Sequence, residues 1–124
     1  MTAFLAEITP DHILDLSDYE AVRKDRKSAI VAAKRDRRLA IGPDATIYFE
    51  NRETMWLQIQ EMLRIEKGGA AQLADELAAY NPMVPKGRNL SATFMIEIDD
   101  ERRRDRVLGE VGHIDQTISI KFVG

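Results

Sequence analysis

The residues of this chain best suited to chemistry are the carboxylates Glu50, Glu66 and Glu97 and the cations Arg37, Arg38, Arg52 and Lys121. A carboxylate withdrawn from water can bind a cation or exchange a proton, and a guanidinium can hold a carboxylate or phosphate through two parallel hydrogen bonds. Several of these groups interrupt stripes that are otherwise apolar. On a helical wheel over residues 17–37, Tyr19, Val22, Ala29, Ile30 and Ala33 share one arc, and Arg26 and Arg37 fall inside it. A guanidinium there must reach water along its stem or find a carboxylate, with Glu50, Glu66 and Glu97 as candidates for Arg37. Over residues 52–66 the stripe is Met55, Trp56, Ile59, Met62 and Leu63, with Arg52 and Glu66 on it at opposite ends. Fourteen helical steps separate those two by about 21 Å, so each needs a partner from elsewhere. Arg52 can stack on Trp56 one turn later. Gln60 with Arg64, and Glu61 with Arg64, read as ordinary exposed helix pairs.

Other chemistries are poorly served. The chain has no Cys, which excludes disulfides, thiolate catalysis and Cys-ligated metal within it. His12 and His113 are the two histidines, and His113 with Asp115 falls short of the three or four ligands a metal site needs. No nucleophile elbow, phosphate-binding glycine loop or zinc-protease helix motif is present. The expectation is therefore no metal and no cofactor.

The elements that must position these groups can be read from turn and cap chemistry. Thr9, Pro10 and Asp11 mark a short helix through Leu16, and Ser17 with Glu20 reads as a capping box for a helix to about Arg37. Residues 39–41 and 46–50 form two strands joined at Gly42-Pro43-Asp44. Asn51 caps a helix that Gly68-Gly69 ends, and a further helix over 72–80 closes at Asn81-Pro82. After a loop over 83–89, residues 90–98 alternate as a strand, Asp99 or Asp100 starts a charged helix to about residue 112, and residues 117–123 alternate again. The sum is an α+β fold: a single domain over 1–124, with three or four mostly antiparallel strands and helices packed on one face. With Ile47 and Phe49 toward the core, Thr46, Tyr48, Glu50, Thr93, Met95, Glu97 and Lys121 share the opposite face. That face is either wet, as antiparallel sheets allow, or a docking or ligand surface with Glu50, Glu97 and Lys121 as its ionisable groups.

At 124 residues with 44% hydrophobic and 31% charged content, the composition is that of an ordinary globular protein. The net charge of −3 conceals an asymmetry, because residues 23–38 carry eight Lys and Arg against two Asp. The first ten residues lack a signal-like pattern and no apolar run is long enough to span a membrane, so the expected location is cytoplasmic.

The ordered series Arg37-Arg38, Gly42-Pro43, Phe49-Glu50-Asn51-Arg52, Gln60-Glu61-Met62-Leu63-Arg64-Ile65-Glu66, Tyr80-Asn81-Pro82 and Met95-Ile96-Glu97 resembles a bacterial family of domains of unknown function. Members of that family are commonly encoded beside rubrerythrin and an iron–sulfur oxidoreductase similar to a heterodisulfide-reductase subunit. The resemblance implies those two proteins as partners. It also implies, in longer relatives, a C-terminal segment beyond the strand at 116–123.

Three functional expectations follow. The first is a non-catalytic accessory or interaction protein of a bacterial redox or peroxide-handling system, whose metal centres lie on its partners. The second is a small-ligand binder or enzyme using Glu50 and Arg52, with Glu97 and Lys121 opposite and Glu66 a further carboxylate. The third, nucleic-acid binding through Lys34, Arg35, Arg37 and Arg38, is disfavoured by the acidic balance of the whole chain. An edge strand also leaves a homo-oligomer open.

Overall fold

The computed structural model describes residues 7–87, 89–98 and 100–110. The basic segment folds as α1, Leu16–Lys34, and its cap is Asp15, whose carboxylate accepts the Asp18 N–H at 2.8 Å. Ser17 and Glu20, the expected capping box, therefore lie inside the helix. An ionised acceptor placed before the first turn also meets the positive end of the helix dipole, which a serine does not exploit. The helix expected after Thr9 is a single 3-10 turn, Pro10–His12, because Ile13 is already extended. The end of α1 tightens into another such turn, Arg35–Arg37.

Strands β1, Arg38–Ile41, and β2, Ala45–Phe49, form the expected hairpin, and Gly42 takes the left-handed φ of +65° that its turn requires. Helix α2, Arg52–Glu66, begins at a reciprocal cap. Asn51 accepts the Thr54 N–H at 2.8 Å while the Thr54 hydroxyl accepts the Asn51 N–H at 2.9 Å. Its end differs from expectation: Lys67, not a glycine, adopts the left-handed cap conformation, with φ 52° and ψ 39°. At Gly68 space is the constraint, since a Cβ there would sit 2.8 Å from the Gln72 side chain. Helix α3, Gly69–Tyr80, follows, then a 3-10 turn, Asn81–Met83. Strand β3, Ala92–Ile96, is shorter than its alternating sequence, and α4, Glu101–Glu110, starts from Asp100, which accepts the Arg103 N–H at 3.0 Å. The strand expected at 117–123, with Lys121, and His113 lie outside the described residues.

The fold is α+β, with an antiparallel sheet ordered β1-β2-β3. Its register sets Leu39, Ile47 and Phe94 in one row and Arg38, Tyr48 and Thr93 in the next. Because alternate residues face opposite sides, Glu50 shares the face of Thr46 and Tyr48.

The main apolar cluster is Ile8, Met55, Ile59, Leu63 and Val84, with Trp56, Leu73 and Leu77 packed against it. Burying each such side chain stabilises the fold by about 1.5–3 kcal/mol. Two amides clamp the N-terminal segment onto this core. Asn81 exchanges hydrogen bonds of 2.8 and 2.9 Å with the Ile8 backbone, and Gln60 exchanges bonds of 2.7 and 3.3 Å with the Leu14 backbone. Gln60 is fully buried, so the expected surface pair with Arg64 does not form. Its amide satisfies both the N–H and the carbonyl of the part-buried Leu14. Arg64 instead pairs with Glu20 across to α1 at 2.7 Å.

Candidate functional site

Two carboxylates on or beside α2 end in very different surroundings. Glu61 faces α1, where the i, i+4, i+8 spacing puts Tyr19, Arg23 and Lys27 on one stripe. The Tyr19 hydroxyl donates to Oε2 at 2.6 Å. Arg23 donates two bonds of 3.0 Å, and Lys27 adds another of 3.0 Å. The Arg23 hydrogen bond is the largest influence holding the Glu61 carboxyl down to about 2. Burial opposes it, and Tyr19 and Lys27 reinforce it. Burial, and then the neighbouring carboxylate, push the Tyr19 hydroxyl above its usual range. Tyr19 also meets Trp56 edge-on at 5.8 Å, and Arg26 lies over the Trp56 ring at 5.5 Å. The cation over Trp56 is thus Arg26, the residue that looked misplaced on the apolar arc of α1. This cluster is a clasp between α1 and α2, and its groups are engaged with each other.

Glu50 is the contrast. It directly follows β2, its N–H donates to the Ser91 carbonyl at 2.8 Å, and the residue is 7% exposed. The Thr93 hydroxyl donates to Oε2 at 2.8 Å, while Oε1 is buried without a hydrogen-bond partner among the described residues. Buried polar atoms in folded proteins are nearly always satisfied, so an exception marks either strain or a site awaiting a ligand. Glu50 borders a cleft of about 460 Å³ between the polar sheet face and the helical layer. Tyr48, Thr93 and Met95 line it from the sheet, Met55 and Tyr80 from α2 and α3, and Lys34 from the end of α1. The expected polar face therefore looks into a cleft, and near Thr46 and Glu50 it is buried rather than wet.

The other sequence candidates distribute around this centre. Glu97 is exposed and accepts a long 3.4 Å bond from the Tyr48 hydroxyl. Arg38, opposite Tyr48 in the register, lies over its ring at 5.7 Å. Arg37 and Arg52 line a second cleft of about 350 Å³ that also borders Glu50. Arg37 forms no ion pair with Glu50, Glu66 or Glu97 among the described residues. Glu66 is exposed at the far end of α2, where Gln72 donates to it at 3.1 Å, and does not join the site. The basic run at 34–38 is divided among the Glu50 cleft, the second cleft and the Tyr48 ring.

A larger void of about 530 Å³ lies at the start of α2, and several of its polar groups are already committed. Asn51 is a cap, Trp56 Nε1–H donates to the His12 carbonyl at 2.9 Å, and Arg26 covers the indole. Among the described residues no three His, Asp or Glu side chains gather as a metal site would require. Nor, among them, is any helix long and apolar enough to cross a membrane. The sequence gives no direct sign that Glu61 pairs with α1 or that Lys34 lines the same cleft as Glu50. For Glu61 there is an indirect one, since Tyr19, Arg23 and Lys27 recur at helical spacing.

Comparison with known proteins agrees with the architecture. The crystal structure of a novel protein of unknown function from Burkholderia pseudomallei superposes with a TM-score of 0.80 at 37% identity. The match covers 86% of this chain and 60% of that one, so this chain spans less than two thirds of that protein's length. No curated protein matches the chain. Residues 7–124 match the family described as protein of unknown function, DUF3501, and the chain belongs to that family.

Proposed function

We propose that this protein binds a small molecule in the cleft bordered by Glu50. The observation that carries the reading is Glu50, 7% exposed and with its carboxylate Oε1 unpartnered among the described residues. An ionised carboxylate held out of water is unfavourable unless a cation or hydrogen-bond donors answer it. Thr93 supplies one donor, and a ligand group supplies the rest. A cleft of about 460 Å³ is within the range of small-molecule sites, and its mixture of thioether, phenol and a few charged groups is typical of them. Of the other sequence candidates, Arg52 borders the adjoining cleft and Glu97 stands at the outer edge.

A melting screen of the full chain against metal ions, organic cations, zwitterions and anions tests this. At least one compound should raise the Tm of the wild type and leave that of Glu50→Gln unchanged. A screen in which nothing stabilises the protein, or in which both proteins respond equally, sinks the reading.

The family resemblance supports a second reading, a non-catalytic accessory protein of a bacterial redox or peroxide-handling system in the cytoplasm. Its partners would be a rubrerythrin or an iron–sulfur oxidoreductase. Affinity purification at native expression should enrich one of the two, and enrichment of neither removes this reading.

A further inference from the structure

We infer that the ligand of the Glu50 cleft is a compact zwitterion, an α-amino acid with an apolar side chain, its ammonium at Glu50 and its carboxylate at Lys34. This rests on the ligand-binding reading and adds the chemical class. Two opposite charges line the same cleft. Lys34, the last residue of α1, forms no hydrogen bond or ion pair through its ammonium among the described residues, and Glu50 keeps one oxygen unpartnered. The two are not paired with each other.

Each simpler ligand class leaves a charge unanswered. A plain cation would satisfy Glu50 but place a second positive charge in a cleft that already holds Lys34. A plain anion would satisfy Lys34 but approach a buried carboxylate. Like charges brought together in a partly dry site repel strongly, which acts against both. A molecule with an ammonium and a carboxylate answers both groups at once. Thr93 already donates to Oε2, so Glu50 is set up as an acceptor there. The terminal torsion of a glutamate is soft, which lets either oxygen turn toward an incoming ammonium. Lys34 has a flexible four-carbon stem and can follow a carboxylate at the mouth.

The wall selects the rest of the molecule. Met55, Met83 and Met95 line this one cleft together with the Tyr80 ring. Three of the five methionines in the chain are thus in one place. Thioether side chains are flexible and polarisable, and they mould themselves to linear or aromatic apolar groups. Gln58 and three hydroxyls also line the cleft, but they are engaged: the Gln58 amide donates to the Tyr80 hydroxyl at 3.4 Å, Tyr48 donates to Glu97 and Thr93 to Glu50, so a hydroxylated or charged side chain would meet few free partners.

Calorimetric titration of the full chain with L-methionine and L-phenylalanine, their carboxamides and their N-acetyl derivatives tests the class. The free amino acids should bind, and the derivatives lacking either charge should bind at least roughly tenfold more weakly. Lys34→Met should reduce free amino-acid affinity to that of the carboxamide while leaving the carboxamide unaffected. Glu50→Gln, checked for folding by circular dichroism, should remove the preference over the N-acetyl form. Carboxamides or plain alkylamines binding as tightly as amino acids would overturn the zwitterion while leaving Glu50-dependent binding intact. The same follows if no amino acid binds but another compound stabilises the wild type and not Glu50→Gln. Failure of every compound in both experiments removes the ligand-binding reading as well.

Discussion

Glu61 and Glu50 are both glutamates drawn away from water near α2, yet they are built for different ends. Glu61 receives four hydrogen bonds from three side chains, all from α1. Glu50 is the more deeply buried residue and receives one from a side chain, that of Thr93. If burial of charge were simply structural here, the deeper carboxylate would carry the fuller set of donors. The reverse holds. A satisfied carboxylate between two helices fixes their relative position, whereas an under-satisfied one beside a cleft lowers stability and retains the capacity to bind.

Removing each acid should therefore have opposite consequences. Glu61→Ala leaves a buried tyrosine hydroxyl and two cations without their acceptor. It should lower the unfolding free energy by about 2–3 kcal/mol, read as a lower urea midpoint at unchanged slope. A midpoint equal to wild type would show that the clasp adds nothing.

Acid should expose the same region. The Glu61 carboxyl is depressed from 4.5 to about 2, so its contribution is fully present above pH 4.5 and disappears as the pH falls toward 2. Arg23 and Lys27 are 27% and 38% exposed, so solvent screens the pairs and the loss is about 1–2 kcal/mol. Glu61→Gln should flatten that part of the stability profile, and an unchanged acid limb would refute the assignment.

The smallest effect is expected at Glu50. Glu50→Gln replaces a buried charge with a neutral amide of the same shape. It should leave stability unchanged or raise it by up to about 1 kcal/mol in the absence of ligand. Destabilisation by as much as Glu61→Ala would place Glu50 among the structural acids and erase the contrast.

Much of the scaffold was legible because it is written locally. Asn51 as a cap, Gly42-Pro43-Asp44 as a turn, Asp100 before α4 and the apolar stripe of α2 each depend on residues within one or two turns. The errors have local causes too. Asp15 outcompeted Ser17 as a cap, and Lys67 took the conformation that the sequence assigned to the following glycines. The candidate site was legible only in outline. Strand alternation set Glu50, Tyr48, Thr93 and Glu97 on one face, as the register does, whereas Arg37 and Arg52 stood out only on their helical wheels. Glu66 was misjudged because its position on a wheel says nothing about where the helix ends relative to its neighbours. Gln60 and Glu61 read as surface residues in the sequence because a partner within one turn is in view and the true partners are not.

By itself the sequence determined the order and type of most elements, the turn and cap residues, and the presence of more charge on core-facing stripes than a plain scaffold needs. These follow from interactions a few residues long. Only the tertiary structure decided which charge was answered. Tyr19 and Glu61 are 42 residues apart, Glu50 and Thr93 are 43 apart, and Leu14 and Gln60 are 46 apart. Hydrogen bonds act over about 3 Å, so no pattern within one element can specify them. The packing of α1 on α2 gave Glu61 its donors, and the same assembly left Glu50 beside an open cleft with one.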